Sequence, residues 1–309
     1  MVSLSVSNQA PGVTALRSSA RVLRLCFVEA RPAVLAVSTL RFMAGAVLAL
    51  PVSPVPEPAK VLQGAAAWVL SIFAIYLLNG VTDVTEDRVN GSGRPIARGD
   101  LAPRTAAVVA AVAAALSIAA TAGLPPALTW IVGLNLVLGY LYSAPPFHLK
   151  SGSTGTVVVL CTSGLLSYWG GLTAVTGGES LSTPKGLIVF AVAATCWMAF
   201  VGVPAKDLSD IEGDAAAGRR TIAVTCGERK SRHCMYVAAL TLAAALGVAV
   251  VFFRVPLAGV CLAMAAGTVA VIAAGQSAAK GGSDQQRRPY RAFMVTQHLV
   301  HITALISNI

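Results

Sequence analysis

"LLNGVTDVTEDRVNGSGRPIARGDL", Leu77–Leu101, starts at the end of a long apolar run, yet it holds four acids, three arginines and four glycines. Only 12% of the chain is charged, so such a concentration at the mouth of a hydrophobic segment decides how the rest is read. A second stretch, "VGVPAKDLSDIEGDAAAGRRT" (Val201–Thr221), repeats the layout: an apolar run, spaced aspartates, then glycine and arginines.

Around these stretches the chain is strongly apolar. Its 309 residues are 56% hydrophobic with a mean hydropathy of +0.73. That exceeds what a soluble α/β enzyme of this length carries and fits a polytopic membrane protein. Apolar windows recur near residues 33–50, 61–79, 104–123, 126–144, 154–175, 186–205, 235–253, 256–276 and 291–309, which predicts nine spans. Lipid offers no partner to an unpaired backbone group, so these spans are expected to be helices. The runs are continuous rather than alternating, which excludes a transmembrane β-barrel. Small residues such as those of "AAVVAAVAAALSIAA" (Ala106–Ala120) permit close helix packing. The predicted fold class is all-α.

The net charge is +10, and its placement orients the spans. With the amino terminus in the cytoplasm, Lys60, Lys185 and Arg254 are the only basic residues expected on the far side. Arg17, Arg21, Arg24, Arg31, Arg88, Arg94, Arg98, Arg104, Lys150, Lys206, Arg219, Arg220, Arg229, Lys230, Arg232, Lys280, Arg287, Arg288 and Arg291 then fall on the near side, with both acidic stretches. These arginines border spans and have no soluble domain to present them, so nucleic-acid binding is excluded. Residues 1–30 form a polar, basic, Ser-rich segment without the compact apolar core of a signal peptide, and a disordered or membrane-surface tail is expected there. The remainder, 31–309, is expected to form one transmembrane domain. The six cysteines show no paired spacing; half of them fall in spans as small apolar residues, and Cys226 and Cys234, in one loop, are read as free thiols.

Asn79, Asp83 and Asp87 are spaced i, i+4, i+8, and Asp207, Asp210 and Asp214 i, i+3, i+7. On helices each set forms one oxygen-bearing face. Interfacial capping accounts for a single aspartate but not for two stripes, whose like charges repel unless something binds between them. Oxygen-only donors suit a hard divalent ion, Mg²⁺ above all, with a bound phosphate completing its shell. Lys150 and Lys206 sit directly beside the motifs and, with Arg94, are candidates for holding such a polyanion. The glycine-rich "NGSGRPIARGD" lacks the order of a P-loop and is expected to be a flexible cap.

Together these motifs resemble the UbiA superfamily of intramembrane prenyltransferases. The resemblance rests on Asn79-x3-Asp83-x3-Asp87 followed by "RPIARG", on "KDLSDIEGD…GRRT" with Asp210-x3-Asp214, and on "LYSAPPFHLK" (Leu141–Lys150). The last is similar to a loop of members that alkylate homogentisate or build chlorophyll. "RP" at Arg31–Pro32 also fits, and the likeness covers the chain from about Arg31 to Ile309. It implies an all-α, nine-helix bundle around a central cavity open to lipid. Two Mg²⁺ ions would hold an isoprenyl diphosphate between the Asp motifs, and a small-molecule acceptor, often aromatic, would take the prenyl group. Asn79, Asp83, Asp87, Asp210 and Asp214 would then be metal ligands, with Asp207 an extra acid beside the substrate.

Two further residues join the candidate site. Arg41 is the basic residue placed deep within a span, which makes it a substrate-binding candidate. Tyr142, inside the third motif, can steer a developing carbocation with its π face. Gly80 departs from the family pattern, in which many members carry Asp or Gln there, and is expected to alter contacts around the first ligand or to widen the site. A terpene cyclase would share every ion-binding residue and differ only in lacking an acceptor site.

Overall fold

The computed structural model describes residues 11–53, 57–178, 182–279 and 282–308. Lys280 and residues 1–10 of the expected tail lie outside them. Among the described residues the secondary structure is helical, without a named strand. In chain order the α-helices are α1 (Pro11–Glu29), α2 (Pro32–Val47), α3 (Pro58–Thr82), α4 (Val84–Val89), α5 (Pro95–Arg98), α6 (Pro103–Ala119), α7 (Pro126–Ser143) and α8 (Ser153–Thr176). Then follow α9 (Lys185–Trp197), α10 (Val203–Asp207), α11 (Ile211–Ala216), α12 (Ile222–Cys226), α13 (Glu228–Phe253), α14 (Ala258–Ala278), α15 (Ser283–Gln286) and α16 (Arg288–Ile306).

Proline sets many of these starts. Pro32, Pro58, Pro95, Pro103 and Pro126 each open a helix, where the missing N–H costs nothing and the fixed φ is already helical. Inside a span the same residue has another effect. Pro204 cannot donate to the preceding turn, and the chain runs through a π-helical turn, Met198–Gly202, between α9 and α10. Gly202 in that turn lies against the Phe293 ring, where a side chain would collide.

Seven segments are long and apolar enough to cross a bilayer: Pro32–Val52, Pro58–Thr82, Pro126–Ser143, Ser153–Thr176, Lys185–Asp207, Glu228–Phe253 and Ala258–Ala278. The predicted count of nine is therefore not reached on these criteria. Pro103–Ala119 is apolar but shorter, and α16 carries Arg291, His298 and His301 along its 19 residues. Around the bundle, α2, α3, α7, α8, α9, α13, α14 and α16 pack in sequence, and α16 returns to α2. Helix α6 lies outside α3, and α2 also crosses α8. The interior holds Phe42, Trp68, Tyr168, Phe190 and Trp197. Outward-facing apolar side chains, such as Trp130 at 79% exposure and Val251 at 78%, are stable only against lipid.

Of the expected disordered or membrane-surface tail, the described part, Pro11–Glu29, is a helix. Its Cys26 and Glu29 are fully buried, while Leu23 and Phe27 are exposed. The inner residues pack with Leu77, Ile96, Leu101 and Ala106, so α1 is fastened to α3, α5 and α6. All six cysteines are free.

Candidate active site

Both acidic motifs break their helix at the middle acid. Helix α3 ends at Thr82, Asp83 takes a non-helical conformation, and α4 follows for six residues. Helix α10 ends at Asp207, Asp210 takes the same kind of conformation, and α11 follows for six residues. The stripes predicted to lie on uninterrupted helices are therefore kinked. The i, i+4 backbone bonds persist through each break, Asp87 N to Asp83 O at 2.8 Å and Asp214 N to Asp210 O at 2.8 Å. Acids one turn apart stay on one face.

Helices α4 and α11 pack against each other, and Gly213 N donates to Asn90 Oδ1 at 3.0 Å. A Cβ on Gly213 would overlap the Asn90 amide, so glycine leaves the room that this contact uses. Arg219, 8% exposed, locks them together. Its Nη2 pairs with Glu86 and lies 3.5 Å from Asp83 Oδ2, and its Nη1 lies 3.4 Å from Asp214 Oδ1. The third motif docks on the same latch: Arg220 N donates to Ser151 O at 2.8 Å, and Ser153 Oγ donates to Arg220 O at 3.1 Å.

A cavity opens between the motifs. Asn79, Asp83, Asp87, Tyr142, Lys206, Asp210, Asp214 and, more deeply, Arg41 all line it, as do Glu86 and Arg219. Its inner wall turns apolar at Ile72, Val159, Leu160, Met198 and Phe293. Asn79 donates to Ser143 Oγ at 3.3 Å, and Arg41 donates to Met198 Sδ at 2.8 Å. A second hollow adjoins the first, since Arg31, Asp87, Lys206, Asp210 and Tyr290 border both.

Three expected substrate contacts stand elsewhere. Lys150 is 2% exposed, outside the cavity lining, with its ammonium paired to Asp83 and 3.2 Å from Thr82 Oγ1. Asp207 is buried and also off the lining. Arg94 borders only the second hollow, with donors directed at Glu29, Asp87 and two backbone carbonyls. The loop read as a flexible cap is anchored instead, with Arg94 and Ile96 buried beneath it. Nor does Gly80 widen the site, because Glu29 and Arg94 fill the space beside it.

Electrostatics separate the two acids of the second motif. Burial alone would raise Asp210, but Lys206, at 2.7 Å, and Ser209 hold its carboxyl below the usual range. Burial pushes Asp214 up, although Lys206 and Arg219 oppose it. Burial, reinforced by Arg219 and Lys206, draws the Lys150 ammonium down to about 7. The sequence reading missed Glu29 as a site residue. A signal for Glu29 existed: it is the sole acid among residues 1–56.

Residues 39–297 match the profile of the UbiA prenyltransferase family. The chain belongs to that family. Among curated relatives, digeranylgeranylglyceryl phosphate synthase of Natronomonas pharaonis is 34% identical over 183 residues, 59% of this chain and 62% of the relative. A rice (Oryza sativa subsp. japonica) protein named probable homogentisate phytyltransferase 2, chloroplastic, is 34% identical over 180 residues, 55% of this chain and 46% of the relative. The chain thus spans less than two thirds of the length of each. A UbiA homolog from Archaeoglobus fulgidus, solved with GPP and Mg²⁺, superposes with a TM-score of 0.66 at 19% identity, covering 91% of this chain and 99% of that one. The apo UbiA homolog from Aeropyrum pernix K1 gives 0.68 at 20% identity, over 87% and 96%. Such likeness shows a shared fold. With its seven apolar helices, this family member is a multi-pass membrane protein.

Proposed function

We propose that this chain is a Mg²⁺-dependent intramembrane prenyltransferase, moving an isoprenyl group from an allylic diphosphate to a small aromatic acceptor. One observation carries the reading: four aspartates from two separate motifs line one cavity whose inner wall is apolar. The donor set suits a hard cation, since every candidate ligand is an oxygen and Asp214 Oδ2 is buried without a hydrogen-bond partner. Among the described residues no three acidic, His or Cys side chains converge into a ready-made cage. The carboxylates stand on two walls, so a diphosphate between them supplies the remaining oxygens. Asn79, Asp83 and Asp87 would hold one ion, and Asp210 and Asp214 the other.

Bound Mg²⁺ would supply charge neutralisation for a diphosphate leaving group. Lys206 and Arg219, at the same end of the cavity, add cationic donors to the leaving oxygens as the C–O bond breaks and its electron pair departs with the diphosphate. Ile72, Val159, Leu160, Met198 and Phe293 keep water from the allylic carbon, and the Tyr142 ring faces the same space. The acceptor nucleophile then bonds to that carbon, and the proton it loses passes to the departing diphosphate. Arg41, a cation on the cavity wall, would orient the substrates.

The test gives purified protein geranyl, farnesyl and geranylgeranyl diphosphates with Mg²⁺, with and without a panel of phenolic, quinolone and other polar acceptors. Product is expected only with an acceptor present. A cyclic terpene formed from diphosphate alone would reject transfer in favour of cyclisation on the same scaffold. Basic-residue placement favours the cytoplasmic face for the active site. In a background lacking Cys226 and Cys234, Ser92→Cys should resist an impermeant thiol reagent in intact cells while Ser182→Cys reacts. The opposite pattern would invert the orientation.

A further inference from the structure

Glu29 is fully buried, at the end of a helix that the transfer reaction has no evident use for. A buried carboxylate is costly unless it is paired and hydrogen-bonded, and this one is both. Its Oε1 lies 2.7 Å from Arg94 Nε in an ion pair, and its Oε2 accepts from Ile96 N at 2.9 Å. Arg94, 7% exposed, reaches from there to Asp87 Oδ2 with Nη1 at 2.8 Å. The same guanidinium donates from Nη2 to the carbonyls of Glu29 at 3.2 Å and Tyr76 at 3.3 Å. Glu29 therefore fixes an arginine whose free edge fixes Asp87.

The second observation is Gly80. A Cβ there would overlap the Glu29 carboxylate and stand 2.7 Å from Arg94 Nη2. A side chain at position 80 and the Glu29–Arg94 pair therefore exclude each other. Gly80 lies on α3, three residues before Asp83 and seven before Asp87, so this space sits immediately behind the first acidic motif.

We infer that Glu29 is a positioning residue for Asp87, acting through Arg94 from the place that Gly80 leaves empty. The inference rests on the reading of Asp87 as a metal ligand. The charge balance explains why a second acid is needed. With Glu29 present, Arg94 is shared by two carboxylates, and Asp87 keeps negative charge to offer a cation in the cavity. Without Glu29, Arg94 and Asp87 form a neutral pair, and the carboxylate is held by the guanidinium. Partners behind a metal ligand typically contribute about 10- to 100-fold in affinity.

The experiment is Mn²⁺ binding to the purified full-length protein, read by electron paramagnetic resonance with inorganic pyrophosphate present, with thermal stability followed in parallel. Glu29→Gln, which keeps the shape and removes the charge, should weaken Mn²⁺ binding about tenfold or more. Gly80→Asp alone should weaken it too, by displacing Glu29. In Glu29→Ala the cleared space admits a carboxylate from position 80, so Glu29→Ala/Gly80→Asp should bind Mn²⁺ more tightly than Glu29→Ala alone. A general structural role for Glu29 would not give this reversal of sign. Glu29→Gln with wild-type affinity, beside an Asp87→Ala control that has lost affinity, would overturn the positioning role and leave the metal reading intact. An Asp87→Ala control with unchanged affinity would overturn both. If Glu29→Ala does not accumulate, the Glu29→Gln measurement decides.

Discussion

Asp83→Ala, Asp87→Ala, Asp210→Ala and Asp214→Ala are each expected to lower turnover about a thousandfold or more. Each deletes a charge from a shell with few spare ligands, where stabilising the leaving diphosphate is the main catalytic contribution. The four variants should differ in stability. Asp83 is the anion facing Lys150, which is 2% exposed, and it also neighbours Arg219. Removing one partner of a buried pair costs about 3–5 kcal/mol, so Asp83→Ala should unfold at lower temperature as well as lose activity. Asp210 is partnered by the half-buried Lys206 on its own turn, and Asp210→Ala should lose activity with less loss of stability. Asp83→Asn keeps the shape and separates the two effects. Asp207→Ala should cost less turnover, because Asp207 does not line the cavity. Rates with saturating prenyl diphosphate and acceptor, beside thermal unfolding in detergent, check this. Full turnover in membranes stripped with EDTA, without added Mg²⁺, would sink the metal-based mechanism.

That these acids could be named in advance reflects how strongly a low-dielectric setting constrains charge. In a chain this apolar an aspartate near a span end needs a partner, and two sets at helical spacing point to one occupant. Spacing does not reveal which cation serves an acid and which serves a ligand. Lys150 and Arg94 both lie next to motifs, but each turns to a carboxylate of the first motif, a choice made by tertiary packing. Glu29 was harder to see because its partner is 65 residues away and its space is defined by the absence of a side chain at Gly80. Hydropathy located the spans well, and among the described residues seven of the nine windows have the length and apolarity of a free-standing span. Helix α16 has a polar inner face, with His301 bonded to Tyr168 Oη at 2.7 Å and Gln297 buried, and its mean hydropathy falls below that of a free-standing span. Apolarity on the lipid side alone suffices for a helix packed against α2 and α14.

Gly171→Ala and Gly247→Ala make the same change, one methyl on a membrane helix, and should move stability in opposite directions. Gly171 lies on α8 where it crosses α2. A Cβ there would overlap the Phe42 carbonyl and stand 2.6 Å from Ala46 N. Facing it, a Cβ on Gly45 would stand 2.7 Å from Tyr168 Cα. These neighbours are backbone atoms, which cannot rotate away, so the methyl must push the helices apart. Without a hydrophobic force between helices in lipid, such close approach is what holds them together. Overpacking costs about 1–3 kcal/mol where side chains can adjust, and Gly171→Ala, meeting backbone, should reach about 3 kcal/mol or more. Gly247, on α13, has nothing within 4 Å of its would-be Cβ. There the methyl meets open space, and relief of the glycine entropy penalty should leave stability unchanged or raised by about 0.5–1 kcal/mol. The crossing also shapes the site, because α2 brings Val34, Ser38 and Arg41 to the cavity and α8 brings Val159, Leu160 and Ser163. Gly171→Ala should therefore lose prenyl-diphosphate binding as well as thermal stability, both measured on detergent-purified protein. A Gly171→Ala protein as stable as Gly247→Ala would mean that the α2–α8 contact does not set the shape of the chamber.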